Sequence, residues 1–532
     1  MPDMVPWWRG ATIYHVYVRS FADTNGDGFG DLPGVRQRLG YLQRLGVDGI
    51  WLSPTMPSPD TDWGYDVSGY CGVHPELGTL DDLDALVREA GALGIRVLLD
   101  LVPNHTSDKH PWFVDALSAK TAKHREYYVW VPPKPGGGPP NNWVDATGQP
   151  AWAFDERSGE YYLHNFLATQ PDLNWWHQPV HEEFERVIRF WFDRGIAGFR
   201  VDVANGIYKD AKLRDNPPSA PGDLPESLRG PLRPVYSSNR PEVHGLYRQW
   251  RRLADSYEPG RVLLGETWTF DFGKLAAFYG VEGPELHLAF NFPFFFSGLR
   301  APELASVVEA ALEQLPEGAT PVWTASNHDA GRFPTRWCHG DQRAVKAALV
   351  VLATLPGTLV LYYGDELGMQ DVDVPFGLWR DEISIPHPER PSRDRCRTPM
   401  PWSAGKNAGF TAQGVNPWLP LGEHATTNVH SEEEDPASVL NFWYKLARLR
   451  KSGQLGGTAP LERVHLDEQV WAYRVGEVVT VANLASGPAK LPGQGLEGLQ
   501  LLLSTDSSRQ GAPGDALRLQ PWEALVLARK PA

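Results

Sequence analysis

Apolar residues in this chain gather in short unbroken runs that end in polar residues and alternate with segments of helical periodicity. The runs are TIYHVYVRSF (12–21), GVDGIWLSP (46–54), IRVLLDLVPNH (95–105), GIAGFRVDV (195–203), RVLLGETW (261–268), LHLAFNF (286–292), PVWTASNHD (321–329) and TLVLYYGDE (358–366). Between them lie PGVRQRLGYLQRLG (33–46), LDDLDALVREAGALG (80–94) and HEEFERVIRFWFDRG (181–195), whose apolar residues recur at three- and four-residue steps. Continuous apolar strands alternating with amphipathic helices predict an α/β fold with a parallel sheet covered by helices. Eight such strands predict a (β/α)8 TIM barrel with its site where the strands end. A doubly wound open sheet is the alternative, and it rarely carries eight regular units.

Three stretches interrupt the alternation. Residues 105–168 follow the third strand, are rich in Pro, Gly, Trp and Tyr, and are too long for a simple connection. They predict an inserted subdomain overhanging the strand ends. Residues 207–245, with RDNPPSAPGDLPESLRGPLRP (214–234), and 369–438 after the eighth strand are also long and irregular, as pocket-shaping loops are. From about residue 456 the pattern becomes short alternating runs, QVWAYRVGEVVTVANLA, LQLLLST and EALVLARK, which predict a terminal all-β sandwich. The expected division is a barrel from 1–104 and 169–455, an insertion at 105–168 and a β domain at 456–532.

Composition narrows the partners. With 532 residues and 42% hydrophobic content the chain is an ordinary soluble globular protein of several domains. A net charge of -15 argues against nucleic acid and anionic membranes and for a small or neutral ligand. Cys71, Cys338 and Cys396 are odd in number and far apart, which predicts free thiols in a reducing compartment. The N-terminus lacks the basic and apolar regions of a signal peptide, and Pro356 and Gly357 split the apolar stretch at 347–364 below spanning length. A cytoplasmic protein is expected.

The stretch DTNGDGFGDL (23–32) sets Asp23, Asn25, Asp27 and Asp31 at near-alternating positions, a spacing that lets oxygens converge on a hard cation. It is no EF-hand: the closing position holds Gly34 instead of Glu, and the preceding run reads as a strand. A plain polar turn of Asx and Gly residues is the alternative.

Carboxylates end three of the apolar runs: Asp202, Glu266 and Asp329. Three buried acids on one barrel rim cost desolvation energy unless they are paired. Arg200, two residues before Asp202, points to the same side of its strand, where its charge would keep Asp202 ionised as a nucleophile. Glu266 follows Leu263 and Leu264 and precedes Trp268, apolar surroundings that keep a proton on a carboxyl group. One ionised and one protonated carboxyl suit glycoside hydrolysis.

The sequence resembles the α-amylase superfamily (glycoside hydrolase family 13), in the branch of α-glucosidases and oligo-1,6-glucosidases. The motifs are DLVPNH (100–105), GFRVDV (198–203), GETW (265–268) and SNHD (326–329), joined by GYDVSGY (64–70), QPDLNW (170–175) and RDRCRTPMPW (393–402). The resemblance implies a retaining mechanism with Asp202 as nucleophile, Glu266 as acid/base and Asp329 as stabiliser of the distorted sugar. It assigns Asp62, Tyr65, His105, Arg200 and His328 to the subsite for the non-reducing glucose, and Phe166, Gln170 and Arg393 to pocket positions of exo-acting relatives. It makes Asp23, Asn25, Asp27 and Asp31, with the Phe29 carbonyl, ligands of a structural calcium or magnesium ion.

The implied activity is an exo-acting α-glucosidase on maltose, isomaltose, sucrose or small maltooligosaccharides, a monomer or small homo-oligomer that also transfers glucose. Val203 after the nucleophile accompanies α-1,6 cleavage among near relatives, whereas VANG also resembles maltooligosaccharide-cleaving ones, so linkage stays open. A trehalose synthase or other glucosyl-transferring or isomerising enzyme is the nearest rival. A non-catalytic scaffold relative usually lacks the three carboxylates found here.

Overall fold

The computed structural model describes residues 6–220, 230–493, 495–510 and 516–529. Each of the eight apolar runs contains a strand: Thr12–Val16, Gly49–Leu52, Arg96–Leu101, Gly198–Val201, Val262–Gly265, Leu288–Ala289, Val322–Trp323 and Thr358–Tyr362. Consecutive strands pair in parallel from the first to the sixth, the seventh pairs with the eighth, and the eighth pairs with the first. Among the described residues no ladder joins the sixth to the seventh, so the barrel is nearly closed.

The strands are apolar throughout because both faces are covered. Ile13, Trp51, Leu98, Leu264, Leu288, Val322 and Val360 form one buried cluster inside the barrel. Their chain neighbours Tyr14, Ile50, Leu99, Leu263, Trp323 and Leu359 belong to a second cluster shared with the helices. The period of two along a strand separates the layers. On the fourth strand the inward positions are Gly198, where a Cβ would meet Val262 O at 2.2 Å, and Arg200. The Arg200 guanidinium therefore stands inside the barrel, in register with Asp100 on the third strand and Leu264 on the fifth.

The amphipathic segments form the expected cover. Leu80–Ala92 starts with a capping box between Thr79 and Asp82, and Gln178–Asp193 buries Phe184, Val187, Ile188 and Trp191 on one face. The segment at 33–46 is two helices, Leu32–Gln37 and Leu39–Arg44, broken at Arg38. Gly34 and Gly40 weaken helix continuity there. The apolar stretch at 347–364 divides as expected into a helix, Gln342–Thr354, and the eighth strand. No helix among the described residues is long and apolar enough to cross a membrane.

Between the third and fourth strands, Trp130–Val131, Trp152–Asp155 and Glu160–Leu163 form a small antiparallel sheet. Its core of Trp143, Trp152 and Leu163 is packed by Leu213 and Tyr236 from the loop after the fourth strand. Part of that loop, 221–229, lies outside the described residues. Past Leu461 the chain makes a five-stranded and a two-stranded antiparallel sheet, sharing a core of Val470, Val479, Val481, Leu491, Leu517 and Leu525. The opposite face of the larger sheet rests on the barrel, where the Tyr473 and Thr354 hydroxyls meet at 2.6 Å. The three cysteines are free thiols, Cys71 exposed and Cys338 and Cys396 buried.

Candidate active site

Two carboxylates are held one residue beyond the ends of their strands by backbone bonds that prolong the ladder. Asp202 N–H donates to Leu101 O at 2.8 Å, and Glu266 N–H donates to Val201 O at 2.9 Å. Both side chains are buried, and both meet Arg200: Nη1 donates to Asp202 Oδ1 at 2.6 Å, and Nη2 lies 2.5 Å from Glu266 Oε1. Arg200 Nη1 also donates to Asp100 Oδ1 at 2.8 Å, while Asp100 Oδ2 accepts from Tyr65 Oη at 2.9 Å and Trp51 Nε1 at 3.2 Å.

This arrangement corrects two electrostatic expectations. Arg200 touches Asp202 as expected, but it is shared among three carboxylates and cannot hold all of them ionised. Burial lifts Asp202 well above the ordinary carboxylate range; Arg200 opposes the lift, and Glu266, Asp100 and Asp329 add to it. Burial likewise pushes Asp100 up to about 6 against the pull of Arg200. Glu266, expected in apolar surroundings, instead faces Arg200 and accepts the Val203 N–H at 3.0 Å through Oε2. Asp202 and Asp100, both raised by burial and both bonded to Arg200, influence each other's titration. Val203 adopts φ 44°, a left-handed conformation costly for a β-branched residue, and in it its N–H meets Glu266.

Asp329 sits in the opposite field. Its Oδ1 accepts from Arg393 Nη1 at 3.1 Å and Arg397 Nη2 at 3.0 Å. Burial pushes its pKa up, but Arg393, Arg397 and Arg200 outweigh burial and hold it below the ordinary range. Arg393 also pairs with Asp62 Oδ1 at 2.8 Å, spanning from the loop after the eighth strand to the loop after the second.

These groups surround a cavity of about 530 Å³ whose wall includes Asp62, Tyr65, His105, Phe166, Asp202, Glu266, Asp329 and Arg393. The other sequence-nominated residues stand one layer behind. Gln170 is buried and donates to Asp62 Oδ2 at 3.0 Å, His328 Nε2 meets Tyr65 Oη at 2.7 Å, and Arg200 lies beneath the carboxylates. Sequence reasoning did not single out Asp100, Arg397, Asp381 or the wall residues Asn205, Ser237 and Ile383. Asp100, Asn205 and Arg397 lay within quoted stretches, but Ser237, Asp381 and Ile383 come from irregular loops without a periodic signal.

The loop at 23–31 has a different character. Asp23 accepts the Gly26 and Gly28 N–H groups at 2.7 and 2.9 Å, Asn25 Oδ1 accepts Asp27 N–H at 2.9 Å, and Asp27 accepts Phe29 N–H at 2.8 Å. Asp31 caps the helix Leu32–Gln37 by accepting Gly34 N–H at 2.6 Å. None of these residues is on the cavity wall. Three carboxylates and an amide oxygen on one short turn are a hard donor set suited to calcium or magnesium. Elsewhere among the described residues, Asp60, His74 and Glu76 bring ligand atoms within 4.8 Å of one another, but Arg19 already pairs with Asp60 and Glu76.

Fold and site together define a carbohydrate-processing barrel, and residues 15–456 match the family "Alpha amylase, catalytic domain". The chain belongs to the α-amylase family. It is 41% identical over 459 residues to a probable alpha-glucosidase of Rhizobium meliloti (strain 1021), covering 84% of this chain and 83% of that one. It is 35% identical over 487 residues to an oligo-1,6-glucosidase of Heyndrickxia coagulans, covering 84% and 86%. The solved structure of the alpha-glucosyl transfer enzyme XgtA superposes with a TM-score of 0.92 at 36% identity, covering 99% of this chain and all of that one.

Proposed function

We propose that this chain is an exo-acting retaining α-glucosidase that releases α-glucose from the non-reducing end of short α-glucosides such as maltose, isomaltose, sucrose and small maltooligosaccharides. The observation that carries the reading is the single Arg200 guanidinium bridging Asp202 and Glu266 on the wall of a cavity. One guanidinium spans both carboxyls, so they lie close together, as a retaining mechanism needs. The Asp62–Arg393 pair walls the cavity beside Asp329, which supports attack at a chain end. The relatives named α-glucosidase and oligo-1,6-glucosidase support the substrate class.

In this mechanism an Asp202 oxygen attacks the anomeric carbon while Glu266 gives its proton to the glycosidic oxygen, and the aglycone leaves as an alcohol. A water then gives a proton to Glu266 and attacks the anomeric carbon, freeing Asp202 and restoring the first configuration. Asp329, held ionised by two arginines, accepts sugar hydroxyls, and Tyr65 packs against the ring. A sugar hydroxyl in place of water gives transfer, a reading supported by the likeness to an enzyme named for glucosyl transfer. Asp23, Asn25, Asp27, Asp31 and the Phe29 carbonyl would hold a structural calcium or magnesium ion whose charge offsets the carboxylates. The insertion at 105–168 is the second domain and the β domain from 456 the third, both packed on the barrel, and the enzyme works in the cytoplasm as a monomer or small homo-oligomer.

Product analysis over time tests the reading, with maltose, isomaltose, sucrose and trehalose offered separately at low and high concentration. Glucose release with longer saccharides only at high concentration is expected. Conversion to an isomeric disaccharide without net hydrolysis would instead make the chain an isomerising enzyme.

A further inference from the structure

Lys209, seven residues past Asp202, is buried behind the cavity wall and takes no part in the steps above. Its Nζ stands 2.5 Å from Asp172 Oδ2 and donates to Asn104 Oδ1 at 2.5 Å. Asp172 and Asn104 are themselves fully buried. Asn104 Nδ2 donates onward to Asp172 Oδ1 at 3.2 Å and to His105 Nδ1 at 3.0 Å. At the other side of that ring, His105 Nε2 lies 3.1 Å from Tyr65 O and 3.2 Å from Gln170 Nε2.

The inventory of donors and acceptors decides where the protons sit. An ammonium group has only donors, so Lys209 turns the Asn104 oxygen toward itself and the Asn104 amide nitrogen toward His105. Burial holds the His105 pKa below its ordinary value, so the ring is neutral and carries one N–H. With Nδ1 accepting from Asn104, that N–H is on Nε2 and points at the Tyr65 carbonyl. A second arrangement is close at hand. If Asn104 turned over, His105 would carry its proton on Nδ1, and Nε2 would accept from Gln170. Gln170 is already oriented for this, since its Oε1 accepts Leu167 N–H at 3.1 Å and its Nε2 donates to Asp62.

We propose that Lys209 is a positioning residue that selects the Nε2–H tautomer of His105, whose N–H then donates to the Tyr65 carbonyl and fixes the segment that presents Tyr65 to the cavity. Lys209 acts through Asn104 and touches no substrate. The inference rests on the glucosidase reading only for its kinetic consequence. The tautomer itself is independent of what fills the cavity.

Long-range proton–nitrogen spectra of the full chain labelled at histidine test it, with the His105 signal identified by its loss in His105→Gln. The comparison is between the unaltered chain, Lys209→Arg, and the pair Lys209→Met with Asp172→Asn, which leaves no unpaired charge buried. The unaltered chain and Lys209→Arg are expected to show Nε2–H. The double variant is expected to shift toward Nδ1–H and to raise KM for maltose about tenfold while kcat changes less. An Nδ1–H tautomer in the unaltered chain, or an unchanged tautomer in the folded double variant, would overturn the proposal. A switched tautomer with unchanged KM would overturn its link to the Tyr65 segment. A chain that releases no glucose from any α-glucoside would count against the glucosidase reading and leave the spectra to judge Lys209.

Discussion

Asp381 receives Arg393 on both of its oxygens, Nε to Oδ2 at 3.0 Å and Nη2 to Oδ1 at 2.6 Å. Asp381 is fully buried, and although burial pushes its pKa up, the Arg393 charge and hydrogen bonds hold it well below the ordinary range. This grip keeps the Arg393 fork aimed at Asp62 and Asp329.

Asp381→Asn removes the anion and leaves Arg393 partly unpaired among buried groups. Loss of one partner of such a pair costs about 3–5 kcal/mol where the charge stays buried, and less if Arg393 swings outward. A lower melting temperature and a KM for maltose raised more than kcat is lowered are expected. Steady-state kinetics beside thermal unfolding check both.

Glu266→Gln keeps the shape of the side chain and an acceptor for the Val203 N–H, but has no proton to give. The fold is expected to persist by circular dichroism, while kcat/KM falls by about 10²–10⁴-fold. The unaltered enzyme should lose activity on the acid side, because burial raises Asp202 above the ordinary carboxylate range and the nucleophile attacks only when ionised. A pH profile of kcat/KM that stays flat down to the ordinary carboxylate range would contradict this.

Stability should fall as pH rises, because buried acids stay neutral in the folded protein. Burial pushes Glu432 up to about 8 and Asp365 up to about 7. Their folded pKa values exceed the unfolded ones, so the folded state binds more protons across the interval between. Their contribution is fully present below the ordinary carboxylate pKa and is lost as pH rises toward about 7 and about 8. Glu432→Gln should flatten part of that decline, measured as melting temperature between pH 5 and pH 9, values on the order of the interval set by these shifts.

Chelation tests the loop at 23–31. Dialysis against a chelator is expected to lower the melting temperature, and calcium or magnesium to restore it, with the response lost in Asp27→Ala. Because the loop is off the cavity wall, the kinetic constants of the chain that stays folded should change little.

The barrel was legible in the sequence because parallel strands are buried on both faces. Ile13 and Tyr14 fall in different clusters yet both must be apolar, and the run that results is easy to see. Asp202, Glu266 and Asp329 were legible because each ends such a run. Their electrostatics were not, since Arg200 serves Asp100 and Glu266 across three strands, and strand neighbours are absent from linear order. Asp381 was hidden for a related reason: it lies on an irregular loop, where no period marks a side chain as buried.

The proposed mechanism passes through a glucosyl-enzyme on Asp202. The most direct measurement is to incubate Glu266→Gln with α-glucosyl fluoride, whose fluoride leaves without an acid, and to map the modified peptide by mass spectrometry. A mass gain of one glucosyl unit on Asp202 is predicted. An adduct on another residue, or none while free glucose accumulates, would contradict the assignment of Asp202 as the nucleophile of a retaining enzyme.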